Sequence, residues 1–446
     1  MSVGKQRERQ GTMWVAYDQI PKGPGHAFYE HLQRILHRGR FDTFAQDLCA
    51  PFYAEIMGRP SIPPGQYFRM LLIGYFEGLD SERGICWRCA DSLSLREFVQ
   101  LEMTQAVPDH SSLSRIRTRL PLEIHNEVFT FVLRLLSERG LLQGKRLGID
   151  ASTMEANAAM RNIVRRDTGE GYKDMLKRLA KESGIETPTQ AELVAFDRKR
   201  KSKKLSNKDW ESPVDEDARI AKLKDGRTHL AHKPEHVVDL DSGAIVSAKI
   251  NHADQGDTTT IHPTLKDTRS KLKKVKKKAA PQYDRPAELA GDKGYHSRET
   301  LKNLDSAFRS RISEPKANGL HQWNGDHEAR QAVYANRARI HTSTGKAMLR
   351  KRGEMVERSF AHCLDRGGMR RAHLRGTENI EKRYSIHVAG FNLGLLMRSM
   401  FGVGTPRGWA EAHIALIFLI FSPSTVVLIV LFFPNEQNSD EFNAAA

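Results

Sequence analysis

Three acidic residues stand where carboxylates could act together. Asp150 ends the apolar run of KRLGIDAS, Asp292 follows the apolar run of AELAG, and Glu357 lies within a longer helical pattern. Ligands of α/β sheets generally bind at the carboxyl ends of strands, which favours a shared site for Asp150 and Asp292. Three convergent carboxylates without a Cys or His partner favour Mg²⁺ or Mn²⁺, which could support phosphoryl transfer. Each aspartate alone fits equally well as a turn former or a helix cap.

The composition points to a nucleic-acid partner. The chain has 446 residues, a length that favours roughly two to four domains. Its 70 Lys and Arg residues outnumber its 54 Asp and Glu residues, leaving a net charge of +16. The predicted partner is therefore a polyanion, nucleic acid first and an anionic membrane second. Four cysteines are too few for a disulfide scaffold and the polar N-terminus is unlike a secretory signal, so a cytoplasmic location is predicted.

The elements that must position the carboxylates change in character along the chain. Residues 1–40 are polar and punctuated by Gly and Pro, which predicts an arm with little structure of its own. Residues 41–143 repeat apolar side chains at intervals of three and four, which predicts a helical domain. Over residues 144–400, strand patterns alternate with helical ones and include a β-hairpin that turns at Asp241–Gly243. This order predicts an α/β domain with a mixed sheet.

A short segment of the helical domain, PDHSSLSRIRTRLP, is suited to DNA. Asp109 can cap a helix that carries Arg115, Arg117 and Arg119 and that ends at Pro121. Free backbone N–H groups at the start of a helix, together with arginines, suit phosphate groups. The three arginines are therefore predicted to bind DNA, which makes residues 41–143 a DNA-binding domain. Ordinary solvated arginines on a helical bundle are the alternative.

A long polar stretch interrupts the α/β region at about residues 161–233. It contains FDRKRKSKKLSNK, which has seven basic residues and one acidic residue. The interval between Asp150 and Asp292 is longer than two strands and a helix require, so this stretch is predicted to be a basic insertion. Contact with DNA and a simply solvated face both remain open for it.

Several segments resemble the DDE transposases of bacterial insertion sequences. LGIDASTMEANAAM around Asp150 is similar to their first-aspartate strand, GDKGY around Asp292 to their second-aspartate motif, and RKRGEMVERSFAHCLDRGGMRR around Glu357 to their glutamate helix. Two helical segments, PPGQYFRMLLIGYFEGLDSERGICWRC and PDHSSLSRIRTRL, resemble the N-terminal region of the same group. The resemblance therefore extends over about residues 41–400.

The resemblance implies a fold, a reaction and a set of partners. The fold is an RNase H-like mixed sheet with flanking helices, preceded by an α-helical N-terminal domain and interrupted by the basic insertion. Asp150, Asp292 and Glu357 would be the catalytic residues and would bind Mg²⁺ or Mn²⁺ in a two-metal site. The reaction would be hydrolysis at the transposon ends and attack of the freed 3′-hydroxyl on target DNA. The partners would be double-stranded DNA and, because two ends must be held together, a second copy of the chain.

The glutamate helix departs from the family pattern at two positions. Many relatives have Arg four residues before the glutamate and Lys seven residues after it, where this sequence has Gly353 and Leu364. Four neighbouring cations could bind DNA phosphates instead: Arg350, Lys351, Arg352 and Arg358. Tyr295 matches the family position after the second aspartate, where it would either contact DNA or pack in the core.

Three further motifs receive structural interpretations. The CxxC of Cys86 and Cys89 has no second ligand pair for zinc, so two packed thiols are predicted. Trp323 is predicted to anchor a core. Surface or DNA-backbone positions are predicted for three histidines: His229, His232 and His236.

The C-terminal residues 401–446 form a hydrophobic and acidic tail. Ile414–Phe433 is a run of twenty residues without a charge, long enough to cross a bilayer. Ser422–Thr425 divides this run into two short halves, which fits two buried elements or an appended tail equally well. A membrane span is the less favoured interpretation.

The sequence as a whole predicts a DNA transposase that uses divalent metal ions. One alternative is a DNA-binding relic of a transposase that no longer catalyses, which the Gly353 and Leu364 departures favour. A second is a related metal-dependent nuclease that cuts DNA without strand transfer. A third, a membrane-anchored DNA-binding protein, depends on the tail alone.

Overall fold

The computed structural model describes residues 25–54, 61–200, 205–222, 226–276, 287–305, 308–316, 323 and 325–410. The predicted apolar run Ile414–Phe433 and most of the tail lie outside these residues. The predicted arm is described only from residue 25 onward.

Fourteen α-helices and nine strands occupy the described part of the chain. The helices are α1 (Ala27–Arg38), α2 (Phe41–Cys49), α3 (Pro64–Phe76), α4 (Glu82–Asp91), α5 (Leu93–Phe98), α6 (His110–Arg119), α7 (Leu122–Glu138), α8 (Tyr172–Glu182), α9 (Gln190–Lys199), α10 (Asp257–Lys276), α11 (Arg298–Asp305), α12 (His327–His341), α13 (Ser343–Phe360) and α14 (Thr377–Phe401). The strands are β1 (Arg146–Ala151), β2 (Met154–Glu155), β3 (Val164–Arg165), β4 (Trp210–Glu211), β5 (Arg219–Lys222), β6 (Thr228–Asp239), β7 (Ile245–His252), β8 (Ala287–Gly291) and β9 (Phe308–Ile312).

The main sheet is mixed, which confirms the predicted fold class. Its strand order is β2-β6-β1-β8-β9, and β5 and β7 also pair with β6. Strand β1 is antiparallel to β6 and parallel to β8, and β8 is parallel to β9. The hairpin of β6 and β7 turns at the predicted Asp241–Gly243. Because β1 lies between β6 and β8, its carboxyl end is flanked by elements far apart in sequence.

The N-terminal helices share a core with this sheet. Helix α14 packs against α3 and α7 on one side and against β7 on the other, and one continuous hydrophobic cluster includes side chains from all four. The segment Thr377–Ala410 is long and apolar enough to cross a membrane, but 61% of its apolar window is buried inside the protein. In this structure α14 is therefore a core helix that joins the N-terminal region to the sheet, and α10 also packs against both α7 and β7.

The prediction of an N-terminal arm with little structure is wrong for Ala27–Arg38, which forms helix α1. Phe28, Leu32 and Leu36 recur at four-residue intervals and are fully buried. This spacing places them on one helix face, and the burial of their side chains stabilises the helix. The helix was not predicted because polar residues surround this apolar pattern in the sequence.

The predicted insertion packs around a small core. Side chains from α8, α9, β4 and the segments beside them form a separate hydrophobic cluster that includes Met175, Leu193 and Trp210. Its predicted C-terminal boundary at about residue 233 is wrong, because the main sheet resumes with β5 at Arg219 and continues with β6 from Thr228. Leu230 of β6 belongs to the same cluster, so the small core is shared with the sheet.

The cysteines of the CxxC motif and Trp323 have structural roles, as predicted, whereas the prediction for two of the histidines needs correction. The cysteines at positions 86 and 89 are free thiols, and burial raises the pKa of Cys89 to about 12. The prediction of surface positions is wrong for His232 and His236, which are fully buried because both belong to strand β6. The ring of His232 lies 3.1 Å from Asp215 Oδ2. Trp323 packs against the main core, as predicted.

Candidate active site

The two strand-end aspartates extend neighbouring parallel strands. Gly148 of β1 is paired with Ala290 of β8, and adjacent strands lie about 4.8 Å apart in a sheet. Asp150 lies two residues after Gly148 within β1, and Asp292 lies two residues after Ala290, directly beyond the end of β8. The sequence analysis expected a shared sheet edge for the two aspartates, and the adjacency of their strands adds to that expectation.

Helix α13 carries Glu357 and packs closely over β1. A Cβ atom at Gly148 would lie only 2.9 Å from Arg352 Cγ and 3.3 Å from Val356 Cγ2. Glycine at this strand position therefore allows the helix to approach the sheet. The approach brings Glu357 and Asp150 into the lining of one cleft.

A buried histidine joins α13 to the sheet beside Asp150. His236 of β6 is paired with Asp150 across the antiparallel ladder, and its ring stacks on Phe360 with centroids 4.1 Å apart. Ser359 Oγ donates to Val356 O, so His236 Nδ1 must donate to Ser359 and Nε2 accepts from Tyr384 Oη. Burial lowers the pKa of His236 to about 3, so the ring is neutral at physiological pH and keeps this arrangement.

The cleft has a volume of about 570 Å³ and a strongly acidic lining. Asp150, Glu155, Glu357 and Asp365 contribute carboxylates to it. Arg370 contributes a guanidinium from the segment that follows α13. The cleft is therefore a place where cations and a phosphate group could be held together.

Asp150 is held by Arg352. The Arg352 guanidinium donates to Asp150 Oδ2 at 2.6 Å, and the backbone N–H of Ala151 donates to Oδ1 at 2.9 Å. Burial raises the pKa of Asp150, Arg352 opposes this shift, and the nearby charges of Asp292 and Asp257 raise the pKa further. Negative charge around Asp150 is thus incompletely neutralised, which favours binding of a cation.

The carboxylates do not converge fully in this arrangement. Among the described residues, no three His, Cys, Asp or Glu side chains lie close enough together to hold one metal ion. Asp292 instead accepts a hydrogen bond of 2.8 Å from the backbone N–H of Gly294 and caps the following 3₁₀ turn. A metal ion at Asp150 Oδ2 would compete with Arg352 for this oxygen.

A fourth carboxylate beside the second aspartate was missed by the sequence analysis. Asp257, the first residue of α10, lies against Gly294 together with Asp292, at a position that a Cβ atom would fill. Lys233 Nζ lies 2.6 Å from Asp257 Oδ1, which partly neutralises it. Its acidic type at the start of a helix, just after β7, was the available signal, but its distance in sequence from both aspartates hid the contact.

Tyr295 lies in the core beneath the second aspartate. Its side chain is fully buried, and its hydroxyl donates to Glu235 Oε1 at 2.9 Å. Glu235 is also fully buried and accepts a further hydrogen bond from Thr260. The packing alternative therefore fits Tyr295, and the predicted contact of its ring with DNA does not fit this burial. Glu235 was not identified from the sequence.

The three arginines predicted on α6 have different surroundings. Asp109 caps the helix as predicted, by accepting from the backbone N–H of Ser111 at 2.7 Å. Arg115 is exposed, Arg119 lies over the Tyr53 ring at 4.9 Å, and Arg117 is largely buried in an ion pair with Glu82. Arg115 and Arg119 are thus both exposed and accessible to DNA, whereas Arg117 mainly joins α6 to α4.

The predicted cations of α13 diverge around the helix. Arg352 is directed at Asp150, Lys351 is partly exposed and Arg350 is exposed. Arg358 lines a separate cavity, together with Met355 and Arg398. The structure therefore brings only Arg352 of this group against a predicted catalytic carboxylate.

Two family matches bear on this arrangement. Residues 15–119 match the family described as "Transposase domain (DUF772)", and residues 315–397 match the family described as "Transposase DDE domain". Both matches are to transposase families, and they support the resemblance to DDE transposases that the sequence motifs carry. The second matched range contains Glu357, Arg370 and most of helix α14, whereas Asp150 and Asp292 lie outside both ranges.

The family matches support a general activity. They are those of a DNA transposase, and a DDE domain implies DNA binding and the use of a divalent metal. No curated protein and no solved structure matches the chain. The roles of individual residues in the transposase consequently depend on the geometry of the cleft.

Proposed function

We propose that this transposase cuts transposon ends and joins the freed 3′-hydroxyl to target DNA in a two-metal phosphoryl transfer. The observation that carries the proposal is that Asp150 and Asp292 each lie two residues beyond the paired Gly148 and Ala290 of adjacent parallel strands, with Glu357 lining the same cleft as Asp150. Asp150, Asp292 and Glu357 are the proposed catalytic residues. A cytoplasmic location and a homodimer that holds two DNA ends belong to the same proposal.

The donor set fits the implied metal. All three side chains offer hard oxygen ligands, as Mg²⁺ and Mn²⁺ prefer, and burial and neighbouring carboxylates already disfavour extra negative charge at Asp150. Bound ions would activate the attacking oxygen and stabilise charge on the leaving oxygen. The protein itself holds Asp150 and Asp292 through the sheet and Glu357 through the packing of α13 on β1.

The proposed reaction is tested with labelled DNA that carries the terminal repeat flanking the gene. With Mg²⁺ and a plasmid target, we expect a nick at the repeat boundary and covalent joining of the labelled strand to the plasmid. Chelation with EDTA should abolish both products. Cutting without joining would favour the nuclease alternative, and binding without cutting in Mg²⁺ and in Mn²⁺ would favour the inactive relic, which the Gly353 and Leu364 departures support.

Arg352→Gln is expected to tighten Mn²⁺ binding in the absence of DNA by at least about tenfold. The guanidinium lies 2.6 Å from the Asp150 carboxylate, so a metal ion must both displace it and tolerate its charge. Like charges a few ångströms apart in a partly buried site repel each other by more than about 1 kcal/mol. Electron paramagnetic resonance of free Mn²⁺ measures the dissociation constant directly.

The matched control for this experiment is Arg350→Gln. Arg350 lies on the same helix and its substitution removes the same charge, but its side chain is exposed. Its effect on the Mn²⁺ dissociation constant should stay within about twofold, because solvent screens an exposed charge. Equal dissociation constants for wild type and Arg352→Gln would show that Arg352 does not compete with the metal.

A further inference from the structure

The acidic cleft needs a cation that can receive DNA. A phosphodiester that approaches Asp150 and Glu357 is repelled by their carboxylates and by Glu155 and Asp365 in the same lining. Arg352, the nearest cation of α13, is already directed at Asp150. Arg370 is the arginine in the lining of the cleft and is not among the residues predicted from the sequence to bind DNA.

The backbone around Arg370 is fixed to the sheet. Glu155 of β2 donates from its backbone N–H to Arg370 O at 3.0 Å, and Ala372 donates from its backbone N–H to Glu155 O at 2.7 Å. Met369 and Ala372 on either side are buried. Arg370 therefore projects from a rigid segment, whereas long cationic side chains on loops are usually poorly positioned.

The Arg370 guanidinium is oriented by Asp365. Nε and Nη2 donate to the two carboxylate oxygens at 2.7 and 2.8 Å, so one edge of the guanidinium is occupied. Nη1 lies 3.5 Å from Thr153 O, three residues beyond Asp150. Arginine has five N–H donors in a planar fork, so donors on Nη1 and Nη2 remain available at the other end.

We propose that Arg370 binds a phosphate of the DNA strand that enters the cleft and that Asp365 is the residue that positions its guanidinium. This inference rests on the proposed function, because it takes the cleft of Asp150 and Glu357 to be the active site. The half-exposed Arg370 side chain is reachable by DNA, and its fixed orientation suits the bidentate recognition of a phosphate.

The test is a binding experiment in EDTA, so that no strand is cut. Duplexes carrying the terminal repeat are prepared with a single neutral methylphosphonate at each phosphate around the repeat boundary. For wild type, we expect one such position to weaken binding by about tenfold, the effect of one charge-assisted phosphate contact. In Arg370→Gln the unmodified duplex should bind about tenfold more weakly, and that methylphosphonate should have no further effect.

Arg371→Gln is the matched control. Arg371 is the next residue and its side chain has a similar exposure. Its substitution removes the same charge, but it is not part of the cleft lining. It should retain the wild-type response to the methylphosphonate. Arg370→Lys should restore the dependence of binding on salt but not the full affinity, because an ammonium group cannot reproduce the fork.

Two results would overturn the proposal. One is equal DNA affinity for Arg370→Gln and Arg371→Gln, and the other is an undiminished methylphosphonate effect in Arg370→Gln. Neither result depends on cleavage, so both are distinguishable from a failure of the proposed function. That failure would appear as normal cleavage when Asp150, Asp292 or Glu357 is substituted. Asp365→Asn should lower DNA affinity by less than Arg370→Gln does. The double variant Asp365→Asn/Arg370→Gln should bind DNA as weakly as Arg370→Gln alone.

Discussion

Asp292→Asn is expected to lower Mg²⁺-dependent cleavage by at least about a thousandfold while leaving DNA affinity within about threefold. Asparagine preserves the shape of the side chain and can still accept from the Gly294 N–H, as Asp292 does at 2.8 Å. It removes the negative charge that would hold a metal ion beside Asp150. Because the cap is kept and the charge is lost, the variant should fold normally and fail in chemistry. Single-turnover cleavage rates and fluorescence anisotropy measure the two quantities.

The matched control for Asp292→Asn is Asp254→Asn. Asp254 is exposed and lies 3.7 Å from Arg219, so its substitution removes the same charge at a site with no role in the cleft. Its cleavage rate should remain within about twofold of wild type, as expected for a surface substitution. Normal cleavage by Asp292→Asn would remove this residue from the proposed site and make Asp257, which lies against the same glycine, the next carboxylate to replace.

Much of the fold was predictable because its elements carry local patterns. The apolar runs before Asp150 and Asp292 predicted strands β1 and β8, and the apolar spacing around Glu357 predicted α13. Short buried strands and long helices can be recognised in a sequence by the alternation of apolar residues, by their length and by their flanking residues. A shared site for the two aspartates was expected because ligands of α/β sheets bind at the carboxyl ends of strands, whereas the direct pairing of β1 with β8 was not predicted.

Strand β6 was only half predicted, and its sequence explains why. Its first part, THLAHKPEH, is polar and contains Pro234, which usually argues against a strand inside a sheet. In the structure these polar side chains are satisfied by distant partners, as Lys233 is by Asp257 and His236 by Ser359. Burial of a polar strand depends on tertiary contacts that no local pattern reports.

The same reasoning separates the predictable part of the site from the rest. Asp150, Asp292 and Glu357 could be proposed because each has a recognisable local setting. The pairing of Arg352 with Asp150 joins residues that are distant in sequence, and it depends on how closely α13 approaches β1. The sequence signal for that approach was Gly148 within an apolar strand, a position where glycine often marks a close contact of backbones.

Gly148→Val is expected to lower cleavage by at least about a hundredfold, because a shift of about 1 Å in a reacting group has an effect of this size. A Cβ atom added at this position would lie 2.8 Å from Leu240 Cδ2, and 2.9 Å and 3.3 Å from Arg352 Cγ and Val356 Cγ2 on α13. The branched valine would push α13 away from β1 and so move Glu357 away from Asp150. Overpacking should also reduce the free energy of unfolding by about 1–3 kcal/mol. Cleavage rates and urea unfolding measure the two effects.

Two glycine substitutions separate loss of geometry from loss of stability. Gly148→Ala should fall between wild type and Gly148→Val in both measurements, because one methyl group requires a smaller movement of α13. Gly291→Ala, on the neighbouring strand, should remain active, since its new Cβ would meet Ile149 and Ile312 at an ordinary 3.4 Å. If Gly148→Val were destabilised but still cut DNA at the wild-type rate below its unfolding temperature, the spacing of α13 and β1 would not control the site. Glu357 would then have to act without a fixed distance to Asp150, contrary to a two-metal arrangement.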